Sequence, residues 1–556
     1  MTARSALLAA LLLAALPLPA QDAARTMDRL RDSMQRRALN TRVEQMRRAE
    51  TAPKPQAEPG ETEPAPAPED TQPLLPLRRL DIAPSRVLPA ALIEGLRQQW
   101  EGKTLSVADI RSIVRVLNKA YHERGCITSR AWLPEQDVSS GSLRVELFEG
   151  SIGRVHATGM HFTPESYVLR AAQLPEGEVF CVDDIESRLV AFNAVSDLKA
   201  RLNISPGDAA GKTDLELVTE EPQRYSALLF TDNAGQRSTG LYRGGLFGTA
   251  RGLLAGRYTR DQLTLGYVGS EGTDAFSAAY MLTENFLNTT WTLGVDRATT
   301  DIITKELSPL NIEGDYRALR AGVRRPLAVN ERNILSAGLQ MLFKENESTM
   351  SGLDLSSYRT NDLTATLDDL LLFRDGYLYN AAMLTRGWQL VGSEPPFWRF
   401  NYQLEFRHKL PHAFSALLRG QYQASSLRAM TSSEQIQLGG VNSIRGYEEG
   451  MLCGERGYSL QSELSYNFLP LLPQRLQLHS AELFAFWDFG QLVHRSEDAL
   501  LRDYNEAFLS SVGGGLRLGL LQHLSMSLTF AQPLHRHPLN RHPSAPRWLY
   551  ALNAEF

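Results

Sequence analysis

The carboxyl-terminal part of the chain carries an alternating residue pattern that few architectures can accommodate. Between residues 223 and 556, strand-length segments place large apolar residues on one face and small polar residues on the other, as over 524–531. The last segment carries Trp548, Tyr550, Leu552 and Phe556 on one face. An outward apolar face and a polar interior over about 9–11 residues per strand are typical of a transmembrane β-barrel. Sixteen strands would leave about 21 residues for each strand and its connection, which suits short turns and longer loops.

A soluble β-sandwich would show the same alternation in each strand, with its apolar faces turned inward. The start of the chain favours the barrel. Residues 1–20 contain a basic Arg4, an apolar run from Ala6 to Leu16 and a small-residue exit ending at Ala20. This pattern predicts a secretory signal peptide. After residue 20 we find no 18-residue stretch without charge, which excludes a polytopic helical protein.

Two segments of unusual composition follow the leader. Residues 21–50 hold eight Arg and five acidic residues and lack Pro and Gly, which predicts a helix that is polar on almost all sides. Such a helix suits either solvent or a polar, water-filled cavity. Residues 51–78 contain eight of the 28 prolines and predict an extended linker.

Residues 79–222 have the composition of a globular α/β region and contain an internal repeat. The segment 101–110 aligns without gaps to 176–185, at an offset of 75 residues. Each unit predicts the order strand, helix, helix, strand, strand, with Ser106 as the N-cap of one helix. The sequence therefore predicts two tandem α/β modules, at 79–150 and 151–222.

Together these features resemble the two-partner secretion transporters of Gram-negative outer membranes, the haemolysin-activator and filamentous-haemagglutinin transporter type. The most specific matching segments are 124–131, 133–137, 439–447 and 484–490. The family usually has an aromatic residue where Cys126 stands and Val where Ile444 stands. The resemblance implies a 16-stranded barrel at 223–556, two periplasmic POTRA domains and an N-terminal helix that plugs the barrel.

The resemblance also implies which residues matter. It places Ile444, Arg445, Gly446 and Tyr447 in a long extracellular loop that folds back into the lumen. Strand alternation turns Asp488 inward together with Phe484, Phe486 and Gly490, and the family analogy pairs Arg445 with Asp488. An ordinary surface Arg-Gly turn is the alternative. A client-binding region is expected around Thr128, Ser129, Arg130, Glu135 and Gln136.

The resemblance implies export of one large exoprotein, an adhesin, a cytolysin or a contact-dependent toxin, without nucleotide hydrolysis. A barrel-assembly-type insertase is the alternative function. Such insertases carry more repeats, generally three to five, and lack the tethered helix. Outer-membrane lipid and, during biogenesis, the barrel-assembly machinery are the other expected partners.

Several classes of function are not expected. The formal charge of −5, from 58 basic and 63 acidic residues, excludes a strongly basic nucleic-acid binder. The sequence predicts no enzyme activity, cofactor or metal site. Cys126, Cys181 and Cys453 fall in three different units, the first two at unmatched repeat positions, which predicts three unpaired thiols.

Overall fold

The structure is a computed structural model. It describes residues 72–254, 256, 259–285, 288–391, 396–426, 430–493, 506–521, 523–535 and 545–556, with six helical residues nearer the N-terminus, Arg36, Leu39, Asn40, Arg42, Val43 and Met46. The predicted signal peptide at 1–20 lies outside the described residues, as do most of the predicted helix at 21–50 and the linker up to residue 71. The chain divides into two compact units, 45–222 and the barrel with 1–44. Every helix in the described part of the chain is too short or too polar to cross a membrane.

The first repeat consists of five strands and two helices. They are β1 (Pro73–Pro76), β2 (Arg79–Ile82), α1 (Ala90–Trp100), β3 (Thr104–Ser106), α2 (Val107–His122), β4 (Arg130–Trp132) and β5 (Ser142–Phe148). A three-stranded sheet has the order β2-β5-β4, with β2 parallel to β5 and β4 antiparallel to β5. Strand β1 pairs with β3. Residues 73–76, predicted as linker, are therefore part of the first repeat, and the strand predicted near residue 130 is only three residues long.

Helix α2 begins with a capping box, as its sequence predicts. The backbone N–H of Asp109 donates to Ser106 Oγ over 3.2 Å, and the Ser106 N–H and hydroxyl donate to Asp109 Oδ2. These hydrogen bonds from Ser106 lower the pKa of Asp109. The box satisfies N–H groups at the start of the helix that have no intrahelical acceptor.

The second repeat has the predicted order strand, helix, helix, strand, strand, without counterparts of β1 and β3 among its described elements. It consists of β6 (Ser151–Thr158), α3 (Glu165–Ala172), α4 (Val182–Val195), β7 (Lys199–Pro206) and β8 (Lys212–Glu220). Its sheet has the order β6-β8-β7, again with one parallel and one antiparallel pair. Each repeat has its own apolar core, built around Ile113 and Leu117 in the first and Val168 and Phe180 in the second.

A disulfide joins the two repeats, and the prediction of three unpaired thiols was wrong. Cys126 follows α2 of the first repeat, Cys181 precedes α4 of the second, and the two form a disulfide. The unmatched repeat positions do not prevent pairing, because the bond crosses the junction between the repeats and joins no equivalent positions. Next to it, the Val182 N–H donates to the Gly125 carbonyl over 2.9 Å. Cys453, the third cysteine, is not part of a disulfide in the described residues.

The remaining unit is a closed antiparallel barrel of sixteen strands, which confirms the predicted fold class. Its strands are β9 (Tyr225–Asp232), β10 (Arg243–Arg251), β11 (Thr259–Ser270), β12 (Thr273–Glu284), β13 (Thr290–Asp301), β14 (Ile312–Val329), β15 (Asn333–Met350), β16 (Leu353–Phe373), β17 (Gly376–Val391), β18 (Phe397–Lys409), β19 (Phe414–Ser425), β22 (Arg456–Asn467), β23 (Leu478–Val493), β24 (Glu506–Leu520), β25 (Leu524–Pro533) and β26 (Arg547–Glu555). The barrel closes where Ala551–Glu555 of β26 pair with Leu228–Asp232 of β9. A hairpin of β20 (Ile436–Leu438) and β21 (Leu452–Gly454) lies outside the wall order.

Side-chain burial in the wall follows the predicted period of two. In β23, Leu483 and Trp487 are half exposed on the outer surface, whereas Phe484, Phe486 and Asp488 are buried. A wall with apolar residues outside and polar residues inside satisfies its backbone groups by strand pairing and keeps charges away from lipid. The lumen is consequently where the ionic chemistry of this unit lies.

We expect the disulfide to hold two of the three cysteines in the native protein. Alkylation of the denatured, unreduced protein should label Cys453 alone, and Cys126→Ser should release Cys181 for labelling. Since the bond closes a sequence separation of 55 residues, its loss should lower the free energy of unfolding of the repeat region by at most about 4 kcal/mol. Mass spectrometry and urea unfolding measure the two effects. Three labelled cysteines in the unreduced wild-type protein would contradict this pairing.

Candidate functional site

The site is built on the loop between β19 and β22, residues 426–455, which we call the lumen loop. Its two limbs pair as the β20–β21 hairpin, with Ile436 opposite Gly454 and Leu438 opposite Leu452. Gly439 and Gly440 follow at φ of +107° and +95°. A Cβ atom on Gly440 would lie 1.9 Å from the Glu449 carboxylate, so this turn requires glycine. The turn leads into the segment that carries the predicted residues.

The structure brings Arg445 of the lumen loop onto Asp488 of the wall strand β23. Arg445 Nε donates to Asp488 Oδ2 over 2.7 Å and Nη2 donates to Oδ1 over 2.8 Å. The Arg445 backbone N–H adds a third hydrogen bond of 3.1 Å to Oδ2. A bidentate guanidinium–carboxylate pair fixes both distance and orientation. The Asp488 side chain is fully buried, so this pair is shielded from bulk water.

Two further residues complete this ionic cluster, and sequence reasoning did not find them. Glu463 of β22 accepts a hydrogen bond from Arg445 Nη1 over 3.0 Å. It also accepts hydrogen bonds from both terminal nitrogens of Arg517 in β24. We call Arg445, Glu463, Asp488 and Arg517 the tip cluster. The charges of these four residues, two cations and two carboxylates, balance; the more exposed Glu482 of β23 lies 3.8 Å from Arg517 at the edge of the cluster. The two guanidinium groups also lie over aromatic rings, Arg445 at 3.7 Å from the Phe486 centroid and Arg517 at 4.0 Å from that of Phe484.

The residues on either side of Arg445 fix the loop by packing. The Ile444 side chain is fully buried in a cluster with Leu438 and Leu492. Gly490 provides space for it, because a Cβ atom there would lie 3.1 Å from Ile444 Cδ1 and 2.6 Å from the Tyr458 carbonyl oxygen. Gly446 has φ of +103°, a conformation that favours glycine.

Tyr447 ties the loop to two strands and one further loop. Its buried hydroxyl lies 3.0 Å from the Ser510 carbonyl and 2.9 Å from the His535 carbonyl. The same oxygen accepts from the His535 backbone N–H over 3.0 Å. The Tyr447 carbonyl in turn accepts from Arg547 of β26. All four residues predicted in the loop motif therefore contact the barrel, and none of them is solvent-exposed.

Described residues of the N-terminal helix contact the same region. Arg36 Nη1 donates to the Asn442 side chain of the lumen loop over 3.1 Å. The Tyr377 hydroxyl of β17 lies 2.5 Å from Glu405 Oε1 inside the barrel and 3.2 Å from Asn40 Oδ1. Two polar residues of this helix thus face polar groups of the lumen.

The five residues predicted for client binding have different environments. Arg130 and Glu135 are exposed, Ser129 is buried, and Thr128 and Gln136 are half-buried. An added Cβ on Gly150 would collide with Thr128, so Thr128 packs closely against the junction with the second repeat. The group is therefore not one continuous surface.

Gln136 has a structural explanation. Its side chain accepts from the Arg144 N–H over 2.7 Å and donates to the Arg144 carbonyl over 2.7 Å. The carboxamide thereby takes the place of a neighbouring strand beside β5. Close by, the Ser139 N–H donates to Asp137, and this bond lowers the pKa of that exposed carboxyl group.

An asparagine covers the edge strand of each repeat at one residue. Asn118 of α2 accepts from the Ala131 N–H over 2.6 Å and donates to the Ala131 carbonyl over 3.3 Å. Asn193 of α4 makes the same two bonds to Ala200, over 2.8 Å and 2.9 Å. The two asparagines stand at the 75-residue offset of the sequence repeat, a signal that would have identified them.

The comparisons with known proteins agree with this architecture. The pattern of the family described as haemolysin secretion/activation protein ShlB/FhaC/HecB matches residues 211–518, more than half of the chain. The ShlB-type POTRA domain matches residues 75–150.

Individual relatives are similar over most of their length. The heme/hemopexin transporter protein HuxB of Haemophilus influenzae strain 86-028NP is 24% identical over 83% of this chain and 84% of its own. The outer membrane transporter CdiB of Escherichia coli O6:K15:H31 is 25% identical over 72% of this chain and 70% of its own. The solved structure of CdiB from Escherichia coli aligns with a TM-score of 0.73 at 21% identity, over 97% of this chain and all of that one.

Proposed function

The chain belongs to the ShlB/FhaC/HecB family of haemolysin secretion/activation proteins, and on that premise we propose how it exports a partner protein. It is an outer-membrane transporter of the two-partner secretion type. Its relatives are named as transporters of heme/hemopexin and of hemolysin. We assign to this chain one cognate large exoprotein, which enters from the periplasm in an extended form and leaves through the barrel.

The tip cluster carries this proposal. An extended polypeptide needs the space inside the barrel, and the lumen loop occupies part of that space while Arg445 is bound to Asp488 and Glu463. We propose that the cluster holds the loop in its resting position and that export shifts the loop away from the wall. A bound chain that favours the shifted position changes the balance between the two states.

Outer-membrane lipid surrounds the wall of the barrel, and the barrel-assembly machinery inserts the barrel during biogenesis.

Charge balance in the tip cluster gives a test of this role. Arg445→Ala leaves an excess of one negative charge and Asp488→Ala an excess of one positive charge, whereas the double variant is neutral again. Each single change should cost roughly 1–2 kcal/mol, less than a fully desolvated pair would, because the partly exposed Arg517 in the same cluster lets water approach the uncompensated charge. A loop without this contact has no defined resting position and can obstruct the path of the client, so we expect secretion to fall roughly fivefold to thirtyfold in each single variant.

The double variant should secrete no less than either single variant, because the interaction is already lost and neutrality returns. Secretion is measured as exoprotein in the medium, with surface level and heat-modifiability on gels as controls for folding. Additive defects at equal surface levels would mean that the two residues act separately.

We propose that the N-terminal helix, residues 21–50, is the plug of the resting transporter and that residues 51–72 form the linker that tethers it. The contacts of Arg36 and Asn40 with the lumen support this assignment. The polar composition of the helix suits a wet cavity and no apolar core. The leader at 1–20 directs the chain across the inner membrane.

Deleting residues 21–50 should raise the conductance of the purified protein in planar bilayers, because the lumen loses one of its two obstructions. Secretion should continue at least in part, since the repeats and the loop remain. The wild-type protein in the same lipid is the control. Equal conductance with and without the segment would argue that the helix does not fill the pore.

For the client receptor we propose the repeats, with the pairing edge in the second one. Residues of an antiparallel strand turn their N–H and C=O groups alternately toward and away from the neighbouring strand. The backbone N–H and C=O of Ala200 bind Asn193 and so point away from β8. By the same alternation, the backbone N–H and C=O groups of Leu202 and Ile204 in β7 also point away from β8. In the described part of this unit, β7 is an edge strand. An extended client can pair with it through backbone hydrogen bonds, while exposed Arg130 and Glu135 offer charged contacts.

Replacing Ile204 separates edge pairing from the loss of an exposed side chain. Ile204→Pro removes an N–H that the β7–β8 ladder does not use, whereas Ile204→Thr keeps the N–H and the strand propensity. We expect the affinity of the full-length protein for an N-terminal fragment of the exoprotein to fall about tenfold for the proline variant. The threonine variant should bind almost as the wild type does. Calorimetry measures both, and equal affinities for the two variants would contradict pairing at this edge.

A further inference from the structure

A second buried ionic cluster holds the lumen loop at its other end. Glu434 ends a 3-10 turn, Ser432–Glu434, in the first limb of the loop. One carboxylate oxygen accepts from Lys344 of β15, and the other accepts from Arg399 of β18. Lys344 Nζ also donates to Asp362 Oδ2 of β16 over 2.8 Å. We call Lys344, Asp362, Arg399 and Glu434 the base cluster. Like the tip cluster, it contains two cations and two carboxylates.

The base cluster and the tip cluster attach the loop to different parts of the wall. Lys344, Asp362 and Arg399 lie on strands that precede β19 in the barrel order, whereas the tip cluster uses β22, β23 and β24. The lumen loop starts after β19 and ends before β22. The base of the loop is therefore bound to strands on one side of the β19–β22 pair, and its tip is bound to strands on the other side.

Hydrogen bonds from Gln423 join the two limbs beside the base cluster. Gln423 Nε2 of β19 lies 2.8 Å from the Glu434 carbonyl and 3.3 Å from the Glu455 carbonyl. Gln435 Nε2 donates to the Glu455 carboxylate over 3.1 Å. Both limbs are thus fixed at one place, immediately before the β20–β21 hairpin begins.

The two clusters differ in their access to water. In the base cluster the side-chain exposures are 0% for Glu434, 2% for Asp362, 7% for Lys344 and 18% for Arg399. In the tip cluster the exposures are 0% for Asp488, 5% for Glu463, 10% for Arg445 and 36% for Arg517. Separating charges is costlier where water cannot replace the lost partner. Glu434, whose side chain has no exposed surface, is consequently the loop charge with the least access to water, since the Arg445 side chain is 10% exposed.

We propose that Glu434 is a positioning residue that anchors the base of the lumen loop while the tip moves during export. The anchor is the base cluster, and the moving part is the segment 439–451 beyond the hairpin. The proposal rests on the proposed function in that it assumes a loop that shifts during export. It adds which part of the loop stays fixed and which charges fix it.

Cys453 provides a native probe for the base of the loop. It lies in β21 opposite Gln437, is half-buried, and its thiol, which is not part of a disulfide, donates a weak hydrogen bond to the Gly450 carbonyl over 3.8 Å. Glu434→Gln keeps the size of the side chain but leaves the base cluster with an excess positive charge. We expect the rate of maleimide labelling at Cys453 to rise about tenfold in this variant. In Arg445→Ala the rate should stay within about twofold of the wild-type rate, because β21 stays paired with β20 and the thiol can lose only its weak bond to Gly450.

Three measures keep this experiment decisive. Labelling is quantified on the Cys453 peptide by mass spectrometry, so the disulfide cysteines do not contribute. Glu345 lies next to Lys344 on β15 and forms an ion pair with Arg359 on the outside of the base cluster. The control variant Glu345→Gln removes this pair and should leave the labelling rate unchanged. The neutral double variant Lys344→Gln/Glu434→Gln should fold even where a single change does not, and it should label no faster than Glu434→Gln.

An unchanged rate in heat-modifiable Glu434→Gln would overturn the anchor, and so would an equal rise in Arg445→Ala. Labelling is independent of secretion, so the two proposals fail separately. Faster labelling of Glu434→Gln with normal secretion would support the anchor and count against loop movement as a step of export. Labelling of Glu434→Gln at the wild-type rate with reduced secretion would count against the anchor and leave loop movement as a step of export.

Discussion

Closure of the strand order in the barrel determines where every other feature of that unit can lie. A wall in lipid must satisfy all its backbone hydrogen bonds by pairing, and the contact of β26 with β9 removes the last free edges. Once the outer face is apolar, charged side chains remain only inside the barrel and at its rims. The lumen thus concentrates charges in a small volume, and each of them needs a partner of opposite sign.

The lumen loop meets this requirement through two neutral clusters. Arg445 forms ion pairs with carboxylates on β22 and β23, and Glu434 forms ion pairs with cations on β15 and β18. The loop therefore contributes one cation to the tip cluster and one anion to the base cluster, each matching an opposite excess on the wall, and Glu448 adds a separate ion pair with Arg237. Such an arrangement gives the loop a defined position without a large apolar core. It also leaves that position sensitive to a chain that brings its own charges into the lumen.

The period of two made the inward position of Asp488 predictable, and the helical cap at Ser106 needed only local sequence. Glu463 and Arg517 were not predictable in the same way, although each lies on an inward face. Whether inward residues meet depends on the stagger of neighbouring strands and on the path of a loop, neither of which alternation determines. The disulfide was missed for a related reason. Comparison of equivalent repeat positions cannot identify a contact across the junction between repeats.

In the two repeats, an equivalent asparagine covers one residue of an edge strand, and the length of that strand decides how much of the edge stays uncovered. Asn118 and Asn193 bind equivalent backbone groups on the edge strand of their own repeat. In the first repeat the strand has three residues, so the asparagine covers its central residue. In the second repeat the strand has eight residues, and the asparagine covers only Ala200 near its start. Free strand edges invite pairing with any extended chain. The longer strand retains such an edge beyond Ala200, so strand length, and not the asparagine, decides which repeat can accept an added strand.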